Sequence, residues 1–213
     1  MNLQINKIHF PINTLGFGNR VGIWLQGCSI RCTGCINRDT WDPNGGGRIS
    51  VSDLIEKICF QILKSDGITI SGGEPLDQSD ALRDFLLQSK HLISGDILLY
   101  TGYSKECVDS HHTWVLDVVD ILISEPFDEK SGQTKFLRGS DNQRIHLLSE
   151  KSRQRYPKDI DTKKWDDNRS LQMFQFGDEV FFAGIPRIGD MDVLKRLLVI
   201  NGLSLKTSEK SNV

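Results

Sequence analysis

The 213-residue sequence predicts an α/β protein built around a parallel sheet. Short apolar runs of strand length alternate with longer segments in which apolar residues recur at helical spacing. Because neighbouring parallel strands need a crossover between them, this alternation is typical of a sheet covered by helices. With 38% hydrophobic and 25% charged residues, the composition is that of an ordinary soluble globular protein.

The predicted elements follow one another along the first 148 residues. The second strand is a continuous apolar run, which indicates burial on both faces. In the first helix Leu54, Ile58 and Ile62 share one face, and Ser50 can cap the first turn. The predicted strands are 3–9, 21–25, 67–71, 96–101, 120–124 and 144–148, and the predicted helices are 52–64, 78–91 and a weaker one from 104 to about 118.

The character of the chain changes near residue 150. We therefore expect a first domain over residues 1–149 and an extension over residues 150–213 that packs on it. The extension is predicted to contain a basic, solvated linker (151–169), two strands around a tight turn at Gly177-Asp178, a helix (190–199) and a frayed polar tail (206–213). A basic binding surface is the alternative interpretation of the linker.

Three cysteines, Cys28, Cys32 and Cys35, follow directly after the second predicted strand with the spacing C-x3-C-x2-C. Three thiolates on one short loop can converge on a soft metal centre such as an iron–sulfur cluster. A closed zinc site or an ordinary four-iron cluster takes four protein ligands, so this loop leaves one coordination position for a substrate or cofactor.

The two other cysteines leave an alternative open. Cys59 falls on the apolar face of the first helix, where a buried core position is expected, and Cys107 is expected to be an exposed thiol. Either of them, or a histidine, could complete a structural zinc or cluster site with the three-cysteine loop.

The sequence resembles the radical S-adenosylmethionine enzymes, and within them the activating enzymes of anaerobic ribonucleoside-triphosphate reductases. The resemblance covers about the first 145 residues. It is carried by the three cysteines, by Gly27, by Thr33-Gly34 and Ile36-Asn37 around the last cysteine, by Thr40-Trp41, and by the motifs Ser71-Gly72-Gly73-Glu74-Pro75-Leu76, Thr101-Gly102-Tyr103 and Leu137-Arg138-Gly139-Ser140-Asp141-Asn142-Gln143-Arg144.

The resemblance implies a set of cofactor ligands and a fold. Cys28, Cys32 and Cys35 would each bind one iron of a [4Fe–4S] cluster, and the amino and carboxylate groups of S-adenosyl-L-methionine would chelate the fourth. The implied fold is a partial, open parallel β/α barrel with a C-terminal hairpin and helix. Gly72, Gly73 and Glu74 would receive the amino group of S-adenosylmethionine, and Gly34 and Ile36 would lie against the adenine or the cluster edge.

The implied reaction is a reductive cleavage. An external one-electron reductant such as flavodoxin or ferredoxin reduces the cluster, S-adenosylmethionine is cleaved, and a 5′-deoxyadenosyl radical takes a hydrogen atom from a glycine Cα in a partner reductase. No catalytic residue beyond the cluster and S-adenosylmethionine is expected, since the reaction needs no general base. Two alternatives are a radical enzyme that modifies another peptide or a small molecule, and a non-catalytic metal-binding protein.

Four residues are expected at the mouth that admits the substrate or cofactor. They are Tyr103, Asn142, Gln143 and Arg144, which fall at strand ends or in loops. The alternative is a structural role, with Tyr103 in packing and Arg144 in a surface ion pair.

Charge and hydropathy set further expectations. The net charge of −2 gives no reason to expect nucleic acid as a partner, and no apolar run approaches the ~20 residues needed to cross a bilayer. The N-terminus lacks the apolar core of a signal peptide, so a cytoplasmic protein is expected.

Overall fold

The computed structural model describes residues 1–166, 169–176 and 179–202, with the side chain of residue 176 left out. The predicted turn at Gly177-Asp178 and the tail 206–213 lie outside the described residues. The described strands are β1 (Asn2–Ile12), β2 (Arg20–Leu25), β3 (Gly47–Ser50), β4 (Gly67–Gly72), β5 (Asp96–Tyr100), β6 (Ile121–Ser124), β7 (Arg144–Leu147), β8 (Gln172–Phe176) and β9 (Glu179–Ala183). The described α-helices are α1 (Val51–Lys64), α2 (Ser79–Ser89), α3 (Lys105–His111), α4 (Trp114–Val118), α5 (Glu150–Arg155) and α6 (Asp190–Ile200).

The larger sheet has a parallel centre and antiparallel edges. Its strand order is β3-β1-β2-β4-β5-β6-β7, and the neighbours β2, β4, β5 and β6 run parallel. The predicted α/β class with a parallel sheet is confirmed for these four strands. At the edges β1 pairs antiparallel with β2 and β3, and β7 pairs antiparallel with β6.

The alternation predicted up to residue 148 was therefore wrong at β7. The chain between β6 and β7 forms turns and loops rather than a helix. Without a helical crossover the chain reverses and β7 returns beside β6 in the opposite direction. The weaker helix predicted over 104–118 is divided into α3 and α4.

Helices α1 to α4 cover one face of the sheet and form the main core. Leu54, Ile58 and Ile62 of α1 are buried there as predicted, against strand residues that include Ile23 and Ile70. Ser50 caps α1, because its hydroxyl accepts a hydrogen bond of 3.1 Å from the backbone N–H of Asp53. This layer fixes the carboxyl ends of the central strands at one edge of the sheet.

The segment predicted as a solvated linker instead packs on the sheet. It begins with α5, and two of its apolar residues are buried: Tyr156 is 3% exposed and Ile160 is 2% exposed. Both lie in a second core cluster with Ile121 and Ile123 of β6. Trp165 is partly buried. The low apolar content suggested a linker, but two well-placed side chains are enough to anchor this segment.

The hairpin strands β8 and β9 pair antiparallel as predicted, with Phe174 opposite Phe181. They pack against the first half of the chain, since the Phe181 ring lies 4.9 Å from the Trp24 ring, centroid to centroid. The Thr14 hydroxyl also donates to the carbonyl of Ala183 at 3.0 Å. No helix in the described ranges is long and apolar enough to cross a membrane.

Candidate active site

A cavity of about 710 Å³ lies where the central parallel strands end. The residues that follow β2, β4, β5 and β6 all contribute to its wall, including Cys28, Gly73, Gly102 and Glu125. Ligands of parallel α/β proteins bind at this edge of the sheet, because the loops there are free to carry functional groups.

Cys28, Cys32 and Cys35 all line this cavity. The loop that carries them is held at its start, where the N–H of Gly27 donates to the carbonyl of Thr40 at 2.7 Å and the N–H of Cys28 donates to that of Trp41 at 3.2 Å. Burial raises the pKa of each of the three thiols. For Cys28 and Cys35, repulsion from neighbouring thiolates of the loop raises the pKa further. The thiolate forms therefore need a nearby positive charge, which a metal centre supplies.

The chemistry of these side chains suits an iron–sulfur centre. Three cysteine thiols line one cavity, and thiolates are the usual protein ligands of such clusters. A four-iron cluster ordinarily takes four cysteine ligands, so three from this loop would leave one iron open. Among the described residues no three His, Cys, Asp or Glu side chains are grouped so that they could hold a single metal ion.

The remaining cysteines lie elsewhere. The Cys59 thiol donates to the carbonyl of Glu56 at 3.2 Å, within α1, and Cys107 lies 3.9 Å from Nδ1 of His111, within α3. Cys59 is only partly buried, so the expectation of a buried core position was wrong, and Cys107, expected to be an exposed thiol, is partly buried as well. Neither residue lines the cavity.

Gly72 and Gly73 pack the strand end of β4 against the chain that enters the cysteine loop. A Cβ on Gly72 would lie 2.3 Å from the backbone N and O of Leu25, and one on Gly73 would lie 2.0 Å from the carbonyl oxygen of Gly27. The N–H of Gly73 donates to Leu25 at 2.9 Å, and that of Glu74 donates to Gly27 at 2.8 Å. Both glycines also line the cavity, so the close packing holds the two motifs at the same edge.

The Glu74 carboxylate joins the ends of β4 and β5. One oxygen accepts hydrogen bonds from the N–H of Leu76 at 2.9 Å and the hydroxyl of Thr101 at 2.7 Å, and the other accepts from the N–H of Gly102 at 2.7 Å. The side chain is buried, and burial raises its pKa to about 7 although the hydrogen bonds oppose this shift. The Thr101-Gly102 motif thus serves as a partner of Glu74.

Gln143 is one of the four expected mouth residues, and it lines the cavity. Its side-chain oxygen accepts from the N–H of Gly139 at 2.8 Å, and its amide nitrogen donates to the carbonyl of Glu125 at 3.0 Å. Gln143 therefore joins two loops of the wall.

The other three expected mouth residues lie outside the cavity lining. The Tyr103 hydroxyl donates to Asp77 at 2.9 Å, and Asn142 donates to the carbonyl of Pro126 at 2.8 Å. Arg144 forms ion pairs with Glu106 at 3.0 Å and Glu125 at 2.7 Å. The ion pairs of Arg144 are those of its structural alternative, and the mouth role of these three residues stays a prediction.

Several wall residues were missed. Glu125, at the end of β6, lines the cavity and has a left-handed backbone with φ of 84°. The sequence could have indicated Glu125 as a wall residue, because Glu125-Pro126 follows a strand as Glu74-Pro75 does. Residues 182–189, Met191 and Asp192 also line the cavity, and their apolar and glycine-rich sequence gave no chemical signal.

Comparison with known proteins connects this geometry to a family. The family model described as "4Fe-4S single cluster domain" matches residues 14–146, which include the three cysteines and the Gly-Gly-Glu motif. The anaerobic ribonucleoside-triphosphate reductase-activating protein of Enterobacteria phage T4 is 32% identical over 135 residues, 61% of this chain and 85% of the phage protein. The chain belongs to the radical S-adenosylmethionine activating enzymes.

Two further relatives agree with this membership. The protein of the same name from Haemophilus influenzae is 30% identical over 148 residues, 65% of this chain and 94% of that protein. The pyruvate formate-lyase 1-activating enzyme of Escherichia coli K12 is 39% identical over 79 residues, 35% of this chain and 32% of that enzyme. The chain is thus a radical S-adenosylmethionine oxidoreductase of the activating type, and its cofactors are a [4Fe–4S] cluster and S-adenosylmethionine.

Proposed function

We propose that this radical S-adenosylmethionine enzyme activates an anaerobic ribonucleoside-triphosphate reductase by removing a hydrogen atom from a glycine Cα of that partner. The observation that supports the proposal is that the three cysteines and the Gly-Gly-Glu motif line one cavity. Relatives of the chain are named as activators of this reductase. The parallel sheet would correspond to the partial barrel of the superfamily, with the division near residue 150 separating it from the extension.

The cavity wall divides into ligand positions. Cys28, Cys32 and Cys35 would each bind one iron of the [4Fe–4S] cluster. Gly72, Gly73 and Glu74 would receive the amino group of S-adenosylmethionine. An ammonium only donates hydrogen bonds, so the backbone carbonyls of this turn are the groups suited to accept from it. The N–H groups of the turn donate elsewhere, that of Gly73 to Leu25 of β2 and that of Glu74 to Gly27. Gly34 and Ile36 line the same cavity next to Cys35 and would lie against the adenine or the cluster edge.

When bound, the cluster and S-adenosylmethionine would supply the radical chemistry, with an electron from an external reductant such as flavodoxin or ferredoxin. The chain's own residues orient and shield that chemistry. Glu74 fixes the ends of β4 and β5 relative to each other through its three hydrogen bonds. Apolar wall residues such as Phe127 and Ile185 exclude water, which protects a reactive radical from side reactions.

The test is anaerobic reconstitution with iron and sulfide, followed by reduction with dithionite in the presence of S-adenosylmethionine and the purified reductase. The proposal expects 5′-deoxyadenosine together with a glycyl radical on the reductase in electron paramagnetic resonance spectra. 5′-Deoxyadenosine without that radical would indicate a different peptide or small-molecule substrate. Zinc in place of iron, and no nucleoside product, would indicate a structural metal protein.

A further inference from the structure

The part of the cavity wall outside the family-matched residues comes from the extension. We call residues 182–192 the rim segment, since most of them line the cavity. One side chain of the first domain contacts it: the Gln133 amide donates to the carbonyl of Pro186 at 2.8 Å and accepts from the N–H of Ile188 at 3.0 Å. Gln133 itself lines the cavity, so it connects the rim segment to the wall that the first domain forms.

Helix α6 overlaps the end of the rim segment and carries two apolar stripes. Met191, Leu194 and Leu198 form a partly buried stripe at helical spacing. We call Val193, Leu197 and Ile200 the outward stripe, and these residues are 47%, 54% and 79% exposed. A surface helix ordinarily places polar residues on its outer face, so an apolar outward stripe needs another explanation.

The outward stripe is continuous with the cavity rim. Gly189, which caps the N-terminus of α6, lines the cavity, and positions 189, 193 and 197 are four residues apart along one helix face. Ile188, 66% exposed, extends the apolar surface at the rim. Contiguous exposed apolar surface beside a site marks a place where another molecule binds.

The proposed function, on which this inference rests, determines what that molecule is. The atom that loses hydrogen belongs to a polypeptide backbone, so the partner's chain must reach the cavity and its surface must contact the rim. The outward stripe then meets the partner beside the reacting glycine. The matched stretch of 148 residues accounts for 94% of the Haemophilus relative but 65% of this chain. The family match ends at residue 146, so the outward stripe lies beyond it.

We propose that the outward stripe of α6 binds an apolar segment of the partner reductase next to the reacting glycine and so selects this chain's own partner. The partner segment must be apolar because Val193, Leu197 and Ile200 offer no charge or hydrogen bond to it. The matched region performs the chemistry, and the extension recognises the protein on which the chemistry acts.

The experiment compares Leu197→Ser with a matched control, Leu63→Ser. Leu63 is 60% exposed, lies on α1 and does not line the cavity. Glycyl radical formation is measured at a series of concentrations of a purified anaerobic ribonucleoside-triphosphate reductase that the wild-type chain activates. Leu197→Ser should raise the KM for the reductase about tenfold without changing kcat, because the variant loses the apolar surface that the leucine side chain would bury against the partner. Cleavage of S-adenosylmethionine without the reductase should match wild type in both variants.

Each other outcome decides against the inference. If wild type activates the reductase and the two variants have the same KM, the docking inference fails and the proposed function stands. If Leu197→Ser turns a wild-type dimer into a monomer in sedimentation experiments without changing KM, the stripe joins two copies of this chain. If wild type cleaves S-adenosylmethionine but leaves the reductase glycine unmodified, the proposed function fails and the inference fails with it.

Discussion

Two regions build one cavity by different means. The matched region, residues 14–146, contributes thiols, a buried carboxyl and tightly packed glycines at the ends of parallel strands. The extension contributes a rim of mostly apolar side chains and backbone. The difference shows that one part of a sequence can supply the reactive groups of a site while another part supplies the wall that encloses it. It predicts that loss of a cluster ligand in the first region abolishes the reaction, that breaking the buried contacts around the site lowers stability, and that changes on the outward stripe of the extension affect partner choice.

The largest effect should come from a cluster ligand. Cys32→Ala removes one of the three thiols around the cavity, and we expect loss of the iron–sulfur absorbance and a fall of at least about 100-fold in 5′-deoxyadenosine formation. Cys59→Ala is the control, because that thiol lies within α1 and bonds to Glu56. Equal iron content and turnover in both variants would contradict the assignment.

A large loss of stability is expected at the contact between the two regions. Asp96, fully buried at the start of β5, contacts Arg20 at 2.6 Å and Arg155 of α5 at 3.0 Å. Asp96→Asn leaves the buried Arg20 charge uncompensated, so the free energy of unfolding should fall by about 3–5 kcal/mol in urea denaturation. Asp109→Asn breaks an exposed pair with Lys105 and should cost less than about 1 kcal/mol. Similar costs would contradict the role of Asp96 as the counter-charge of the buried Arg20.

The buried carboxyl of the matched region should make stability depend on pH. The folded-state pKa of Glu74 is about 7, against 4.5 for the free group, so the folded chain binds more protons between these values. Its contribution to stability is fully present below pH 4.5 and is lost as the pH rises through 7. The free energy of unfolding should fall by at most about 3 kcal/mol over this range.

Urea unfolding of the metal-free protein between pH 5 and about 7.5 measures this slope. Glu74→Gln should flatten it, whereas Glu150→Gln, an exposed carboxyl on α5, should leave it unchanged. A slope that persists in Glu74→Gln would assign the titration to another group.

The smallest of these effects concerns glycine packing. Gly73→Ala places a Cβ 2.0 Å from the carbonyl oxygen of Gly27, so the two motifs must separate, at a cost of about 1–3 kcal/mol and with weaker binding of S-adenosylmethionine. Gly47→Ala meets no atom within 4 Å and should be close to neutral in the same thermal melts and binding titrations. A neutral Gly73→Ala would show that the strand end shifts freely.

The sequence was informative where a residue type has distinctive chemistry. Cys28, Cys32 and Cys35 were predicted to share one site, because thiols at this spacing have few other uses in a single loop. The apolar face of α1 and its Ser50 cap were predicted for the same kind of reason, since spacing and capping are local. Glu74 was placed at the cavity, but its bonds to Thr101 and Gly102 are contacts between strand ends that no local pattern contains.

Features that depend on distant packing were missed. β7 runs antiparallel to β6 because the loop between them contains no helix, and the sequence of that loop did not indicate the direction of the next strand. Tyr156 and Ile160 anchor a segment whose average composition is polar. The rim segment lines the cavity through apolar residues and backbone, which resemble those of any hairpin.

The most direct test of the proposed function follows the hydrogen atom that leaves the glycine Cα of the reductase. Reductase labelled with deuterium at the Cα of its glycines is incubated with the reconstituted enzyme, dithionite and S-adenosylmethionine, and the 5′-deoxyadenosine is analysed by mass spectrometry. We expect one deuterium in the nucleoside, together with a glycyl radical on the reductase. A glycyl radical that forms while the nucleoside stays unlabelled would contradict direct hydrogen transfer from the partner's glycine to the cavity described here.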